Sequence, residues 1–133
     1  MTEESQSQTL GADERLKSKV LIEKLFKEGA SVFSYPIKLI YLPFSQESDI
    51  HSLKFGVTVP KRNHRKAHTR NSLKRKIREA YRKHKPVINE EINLTHSYAL
   101  MYILVDRKVS SYETILRAVK KVNQRFTEAI VNS

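Results

Sequence analysis

The run Ser97–Asp106, SYALMYILVD, is apolar at nearly every position. It is half the length of a membrane helix, which takes about 20 apolar residues. A strand that alternates polar and apolar residues can leave one face in water. This one cannot, so both of its faces have to be covered. Whatever else the chain forms must supply cover on two sides of a sheet.

The neighbouring segments supply both strands and helices. Residues 35–43, YPIKLIYLP, are rich in β-branched and aromatic types, are bounded by prolines, and read as a strand. Ser45–Ser52 is polar and reads as a loop. Leu53–Val59, LKFGVTV, reads as a strand that Pro60 ends, because proline removes a ladder donor. Leu21, Ile22, Leu25 and Phe26 recur at i, i+1, i+4 and i+5, which makes one apolar helix face. Ser18 is placed to cap that helix and Gly29 to follow it, giving a helix over 19–28. Ser110 and Glu113 have capping-box spacing. Ile115, Val119, Val122, Phe126 and Ile130 follow at helical intervals, giving a long helix over 112–131. Residues 1–12 read as a disordered tail and residues 13–133 as a single RNA-binding domain, for the reason that comes next.

Between Lys61 and Lys85 lie 12 Lys or Arg residues and one acid, Glu79. The net charge of the whole chain is +11, so this segment carries all of the excess. Leu73, Ile77, Ala80 and Tyr81 fall at i, i+4, i+7 and i+8, one apolar stripe on a helix that Thr69 could cap. At about 100° per residue, Arg70, Lys74 and Arg78 form a row beside the stripe, with Asn71, Arg75 and Arg82 further round. Like charges four apart destabilise an isolated helix by a few tenths of a kcal/mol per pair. A polyanionic partner relieves that cost, and solvated faces usually mix signs, which this one does not. Arginine adds a planar fork that grips phosphate in two places. Nucleic acid is the leading partner class, ahead of an anionic membrane surface.

Several chemistries are excluded. With no cysteine there are no disulfides and no thiolate nucleophiles or ligands. The N-terminus lacks the basic start and apolar run of a secretory signal, and the expected location is cytoplasmic. Protein-based phosphodiester hydrolysis uses clustered carboxylates to hold metal ions. Here Glu79 stands alone in the basic region, and Asp13, Asp49 and Asp106 are scattered. His64 and His68 have the spacing of a helical metal pair, but no HExxH pattern or acidic third ligand accompanies them. They read as solvent-facing or RNA-proximal imidazoles. His51, His84 and His96 show no partner in the sequence. No glycine-rich phosphate loop exists among three glycines.

His68–Tyr81, H-T-R-N-S-L-K-R-K-I-R-E-A-Y, resembles the basic helix of the bacterial ribonuclease P protein subunit, whose core reads R-N-R-x-K-R-x-x-R. Here the core is Arg70-Asn71-Ser72-Leu73-Lys74-Arg75-Lys76-Ile77-Arg78. Phe55–Arg62, FGVTVPKR, looks like the family's strand leading into that helix, and Glu14–Val32 like its first helix. The Asp106-Arg107-Lys108 turn and the last helix also fit, so the resemblance covers about residues 14–131. Ser72 departs from the pattern, standing where the family usually has the second arginine, and it puts one RNA contact in doubt.

The resemblance implies an α+β fold, a small mixed sheet with three helices in the order helix, strands, helix, strand, helix. The basic helix would lie in a left-handed crossover, against the usual preference, in a domain like the second domain of ribosomal protein S5. It implies a subunit that binds the catalytic RNA and the 5′ leader of precursor tRNA, with the chemistry carried by the RNA and its Mg²⁺ ions and no obligate protein partner. By the same resemblance, Arg70, Asn71 and Arg75 would contact the catalytic RNA. Lys74 and Arg78 would line the leader cleft with Phe26 and Tyr41. Lys61, Arg62, Arg65 and Lys66 would meet phosphates nonspecifically. Phe26 could equally be a core residue of its helix, and Tyr41 a core or surface tyrosine. Three other readings compete. A ribosomal or other structured-RNA protein explains the charge but not the ordered correspondence along the chain. A helix-turn-helix DNA binder needs a helix, not a strand, before the basic one. A self-sufficient nuclease lacks its carboxylates.

Overall fold

The computed structural model describes residues 15–45, 53–86 and 97–131. The tail expected at 1–12, most of the loop expected at 45–52, and Asp13, Asp49, His51 and His96 lie outside the described residues. The elements run α1 (Lys19–Glu28), β1 (Ala30–Ser34), β2 (Ile37–Phe44), β3 (Leu53–Thr58), α2 (Ala67–Lys83), β4 (Ser97–Leu104) and α3 (Tyr112–Val131). The four strands form one mixed sheet in the order β1-β2-β4-β3. β1 pairs antiparallel with β2 and β2 antiparallel with β4, while β3 pairs parallel with β4.

The unbroken apolar run of β4 follows from its position inside the sheet. Leu100, Tyr102 and Leu104 point to one face and join Ile37, Leu39 and Phe55 against Leu73, Ile77, Ala80 and Tyr81 of α2 and Ile115, Val119, Val122 and Phe126 of α3. Ala99 and Met101 point to the other face and meet Ile40 and Leu25 of α1, with Leu16, Leu21 and Ile22 at the margin. The molecule is thus three layers: α1, the sheet, and the α2–α3 pair. Phe55, Tyr81 and Tyr102 form an aromatic cluster under α2, with the Phe55 and Tyr81 rings stacked at 4.3 Å. The buried Tyr102 hydroxyl donates to Asn123 Oδ1 (2.5 Å), and Asn123 Nδ2 donates to the His84 carbonyl (2.6 Å). That chain fastens the end of α2 to α3. Burial raises the Tyr102 phenol well above its usual pKa.

Three local expectations are corrected. The strand expected at 35–43 is present as β2 but starts two residues later, because Tyr35 and Pro36, joined by a cis peptide bond, form the turn of a hairpin whose first arm is β1. Ala30–Ser34, ASVFS, is short and carries no clear alternation, so periodicity could not find it. Thr69 does not cap α2, which starts two residues earlier at Ala67 with Lys66 at the cap position and no side-chain capping bond. The cap of α3 is Ser111, whose Oγ accepts from the Thr114 N–H (3.2 Å), because Ser110 spends its hydroxyl on Asp106 Oδ2 (3.1 Å). The cap of α1 is as expected, Ser18 Oγ accepting from the Leu21 N–H. Gly29 does end α1, but with φ −68°. It is glycine for want of space, since a Cβ there would lie 2.5 Å from the Leu25 carbonyl oxygen.

Candidate nucleic-acid interface

The basic segment comprises a loop, residues 60–66, and the outer side of α2. Its apolar stripe is fully buried, so the cations are forced outward. Lys61, Arg62, Arg65, Lys66, Asn71, Ser72, Arg75 and Arg78 are exposed, and Arg70 and Lys74 half-buried. Glu79 is engaged by Arg82 one turn on, so the one carboxylate of the segment does little to offset the remaining charge. The first turn of α2 holds no acid, which leaves the positive end of the helix dipole uncompensated in the middle of the basic loop.

Two of the cations face inward. Arg70 Nη1 donates to the carbonyls of His64 (2.9 Å) and Arg65 (2.8 Å), tying the loop down onto the start of α2. Lys76 Nζ donates to the Ser110 carbonyl (2.9 Å). His64 is buried, not solvent-facing, and its Nε2–H donates to the Asp106 carbonyl (2.7 Å). It precedes α2, so it shares no helix face with His68. The Asp106 carboxylate accepts from the Lys108 N–H (2.9 Å) and the Ser110 hydroxyl. The Lys108 bond foremost, with help from Tyr35 and Ser110, holds its pKa below the usual carboxylate value against the opposing effect of burial. The Asp106–Ser110 turn is therefore the clasp that joins β4, the basic loop and α2. The role of Asp106 as a clasp has a sequence signal, an Asx-type acid ahead of a serine at a helix start. The role of His64 has none, because its partner is a backbone atom 42 residues away.

The residues assigned to a leader cleft are distributed over more than one surface. Phe26 is 51% exposed on α1, so it is not a core residue. Tyr41 points to the opposite, α2–α3 side of the sheet and packs edge-on against Phe126 (5.0 Å). The two aromatics thus do not share a wall. Alternation along β2 decides this, and the residue on the α1 side is Ile40. Arg78 lines an open hollow at the outer edge of β3 with Arg15, Leu16, Lys17, Phe55, Gly56 and Val57. The chain entering α1 reaches this edge through a bridge from Arg15 to Phe55, with the Leu16 N–H donating to the Phe55 carbonyl (2.8 Å). Arg15 and Lys17 are cations that sequence reasoning missed. They look like members of a neutral remainder until the fold sets them beside Arg78.

Among the described residues no group of three or more His, Asp or Glu is placed to hold a metal ion. Among them, too, no helix is long and apolar enough to cross a membrane.

A family model described as Ribonuclease P matches residues 10–127. The chain is 32% identical over 113 residues to the ribonuclease P protein component of Porphyromonas gingivalis, across 84% of this chain and 82% of that protein. Among solved structures, the ribonuclease P protein of Staphylococcus aureus superposes with a TM-score of 0.66 at 22% identity, covering 85% of this chain and 94% of that one. The Thermotoga maritima ribonuclease P protein gives 0.65 at 22% identity, covering 84% and 96%. At these identities the structural matches speak for the fold, an α+β arrangement of three helices on a four-stranded mixed sheet.

Proposed function

The chain belongs to the ribonuclease P protein family, and from that membership we propose that it is the protein component of a ribonuclease P ribonucleoprotein. In this reading it binds the catalytic RNA and the 5′ leader of precursor tRNA in the cytoplasm, and assists Mg²⁺-dependent removal of the leader. The observation that carries the proposal is the unopposed cationic side of α2, bearing the Arg70–Arg78 motif, in a chain that matches the family over nearly its whole length.

Each residue has an assigned part. Arg75 and Asn71, exposed on the outer side of α2, bind the catalytic RNA, with Lys61, Arg62, Arg65 and Lys66 on the loop adding phosphate contacts. Arg70 acts chiefly by holding that loop. Lys74 and Arg78 meet the precursor, and Arg15 and Lys17 extend the Arg78 surface. Phe26 offers an exposed ring for base stacking, worth about 1–3 kcal/mol per base. Tyr41 contributes to packing instead. As the family resemblance implies, Mg²⁺ is assigned to the RNA, and no step is routed through the protein.

The direct test is to purify the protein from its native host and sequence the RNA that accompanies it. One abundant, structured, non-messenger RNA is the expected result. A broad ribosomal profile would instead favour a ribosomal or general structured-RNA protein.

A further inference from the structure

The hairpin turn between β1 and β2 carries a second feature that the basic helix does not account for. Phe33 and Tyr35 are 45% and 62% exposed, and their rings meet edge to face at 6.4 Å and 63°. Val32 packs into the α2–α3 core, so strand alternation turns Phe33 to the α1 side of the sheet. Lys38 lies directly opposite Phe33 in the β1–β2 ladder. It falls between the buried Ile37 and Leu39 and is itself exposed, which sets it beside the ring on the same face. Arg125 of α3 donates to the Phe33 carbonyl. The Tyr35 hydroxyl hydrogen-bonds to the Asp106 carboxylate, which brings the exposed Arg107 and Lys108 of the same turn alongside. Asp106 is the acid in this group, and its oxygens are committed to Lys108, Ser110 and Tyr35.

We propose that Phe33 and Tyr35 form a platform on which an unpaired RNA base stacks, with Lys38, Arg107 and Lys108 meeting the phosphates on either side. Phe33 sits on a paired strand where Arg125 holds its carbonyl, and the Tyr35 hydroxyl is tied to Asp106. The backbone that presents the rings is therefore already ordered, and exposed ring faces among cations are what single-stranded nucleic acid takes. Lys38, Arg107, Lys108 and Arg125 surround the rings with one sign of charge, which suits the phosphates on either side of a stacked base. The platform is separate from α2 and deepens the ribonuclease P reading by adding a base-reading point that Lys and Arg contacts to phosphate do not provide.

The experiment uses the full chain and a single-stranded oligoribonucleotide bearing one 2-aminopurine, whose emission falls on stacking. Phe33→Ser/Tyr35→Ser should weaken binding by about tenfold and remove most of the quenching. Phe33→Tyr, which keeps both rings and the Tyr35 hydroxyl, should bind as the parent does, and a melting curve of the serine variant that matches the parent's excludes loss of fold as the cause. This arm needs no catalytic RNA, so it stands or falls independently of the family assignment. Repeating the comparison with catalytic RNA alone, and with precursor tRNA on the assembled holoenzyme across a series of leader lengths, then identifies which RNA supplies the base. Unchanged affinity and quenching for the serine variant on the oligoribonucleotide would overturn the proposal.

Discussion

Arg70 and Arg75 lie five residues apart on one helix and are placed for different work. Arg70 holds two loop carbonyls, while Arg75 projects into solvent. Hydrogen bonds from a charged donor contribute about 1.5–3 kcal/mol when well shielded, and Arg70 is half-buried, so Arg70→Ala should lower unfolding free energy by about 1–2 kcal/mol. Amide exchange should rise across residues 60–66. Arg75→Ala should leave the melting curve unchanged and weaken assembly with catalytic RNA. Denaturant melts of the two variants, read beside RNA binding, check this. Asp106 gives a pH-dependent counterpart. Its folded pKa is lowered, so the stability it contributes is present above the unfolded aspartate value, about 3.9, and is lost as pH falls through the lower folded value. Asp106→Asn should therefore destabilise the protein at neutral pH and flatten the acid limb of its stability curve below about pH 4. An acid limb identical to the parent's would show that the clasp does not depend on the carboxylate charge.

Elements supply the next level of specificity. The row Arg70, Lys74, Arg78 flanks the buried stripe of α2, while Arg75 sits further round the helix. Lys74→Ala/Arg78→Ala should thus weaken precursor tRNA binding to the holoenzyme more than mature tRNA binding, since the precursor alone has a leader. Arg78 is exposed, which keeps the effect toward the low end of charged contacts, about tenfold in the affinity ratio. Arg75→Ala should leave that ratio unchanged. Equal losses for both tRNAs would assign Lys74 and Arg78 to general anchoring. On α1, Gly29→Ala should destabilise by about 1–3 kcal/mol through overpacking, because the new methyl meets backbone that cannot retreat. The bounds of α1 and α3 were legible because each has a strong apolar period and a clear end. β4 was legible because its run of apolar residues admits no exposed face. β1 was not, since it is five residues at a sheet edge whose partner is fixed by a turn, and Tyr35-Pro36 imitates the start of a strand. The side of the sheet taken by Tyr41 was equally hidden, because one residue of register reverses every side chain in a strand.

For the molecule as a whole, the sequence already located the excess charge, and the family motif located its reading frame. What the sequence could not give was juxtaposition: Arg15 and Lys17 beside Arg78, and His64 against Asp106, both depend on contacts between distant segments. RNA binding by this surface should be strongly salt-dependent. If six to ten phosphates are neutralised, raising salt from about 50 to about 200 mM should weaken binding by about 10³–10⁵, with RNA toward or below the lower figure because the range describes duplex DNA. The central claim is that this chain is the protein half of a ribonucleoprotein whose catalysis resides in the RNA. It is tested most directly by cleavage of precursor tRNA at low Mg²⁺ with protein alone, catalytic RNA alone, and the two together. The account predicts release of the 5′ leader only in the combined reaction. Robust cleavage by RNA-free protein, persisting after ribonuclease treatment of the preparation, would contradict it.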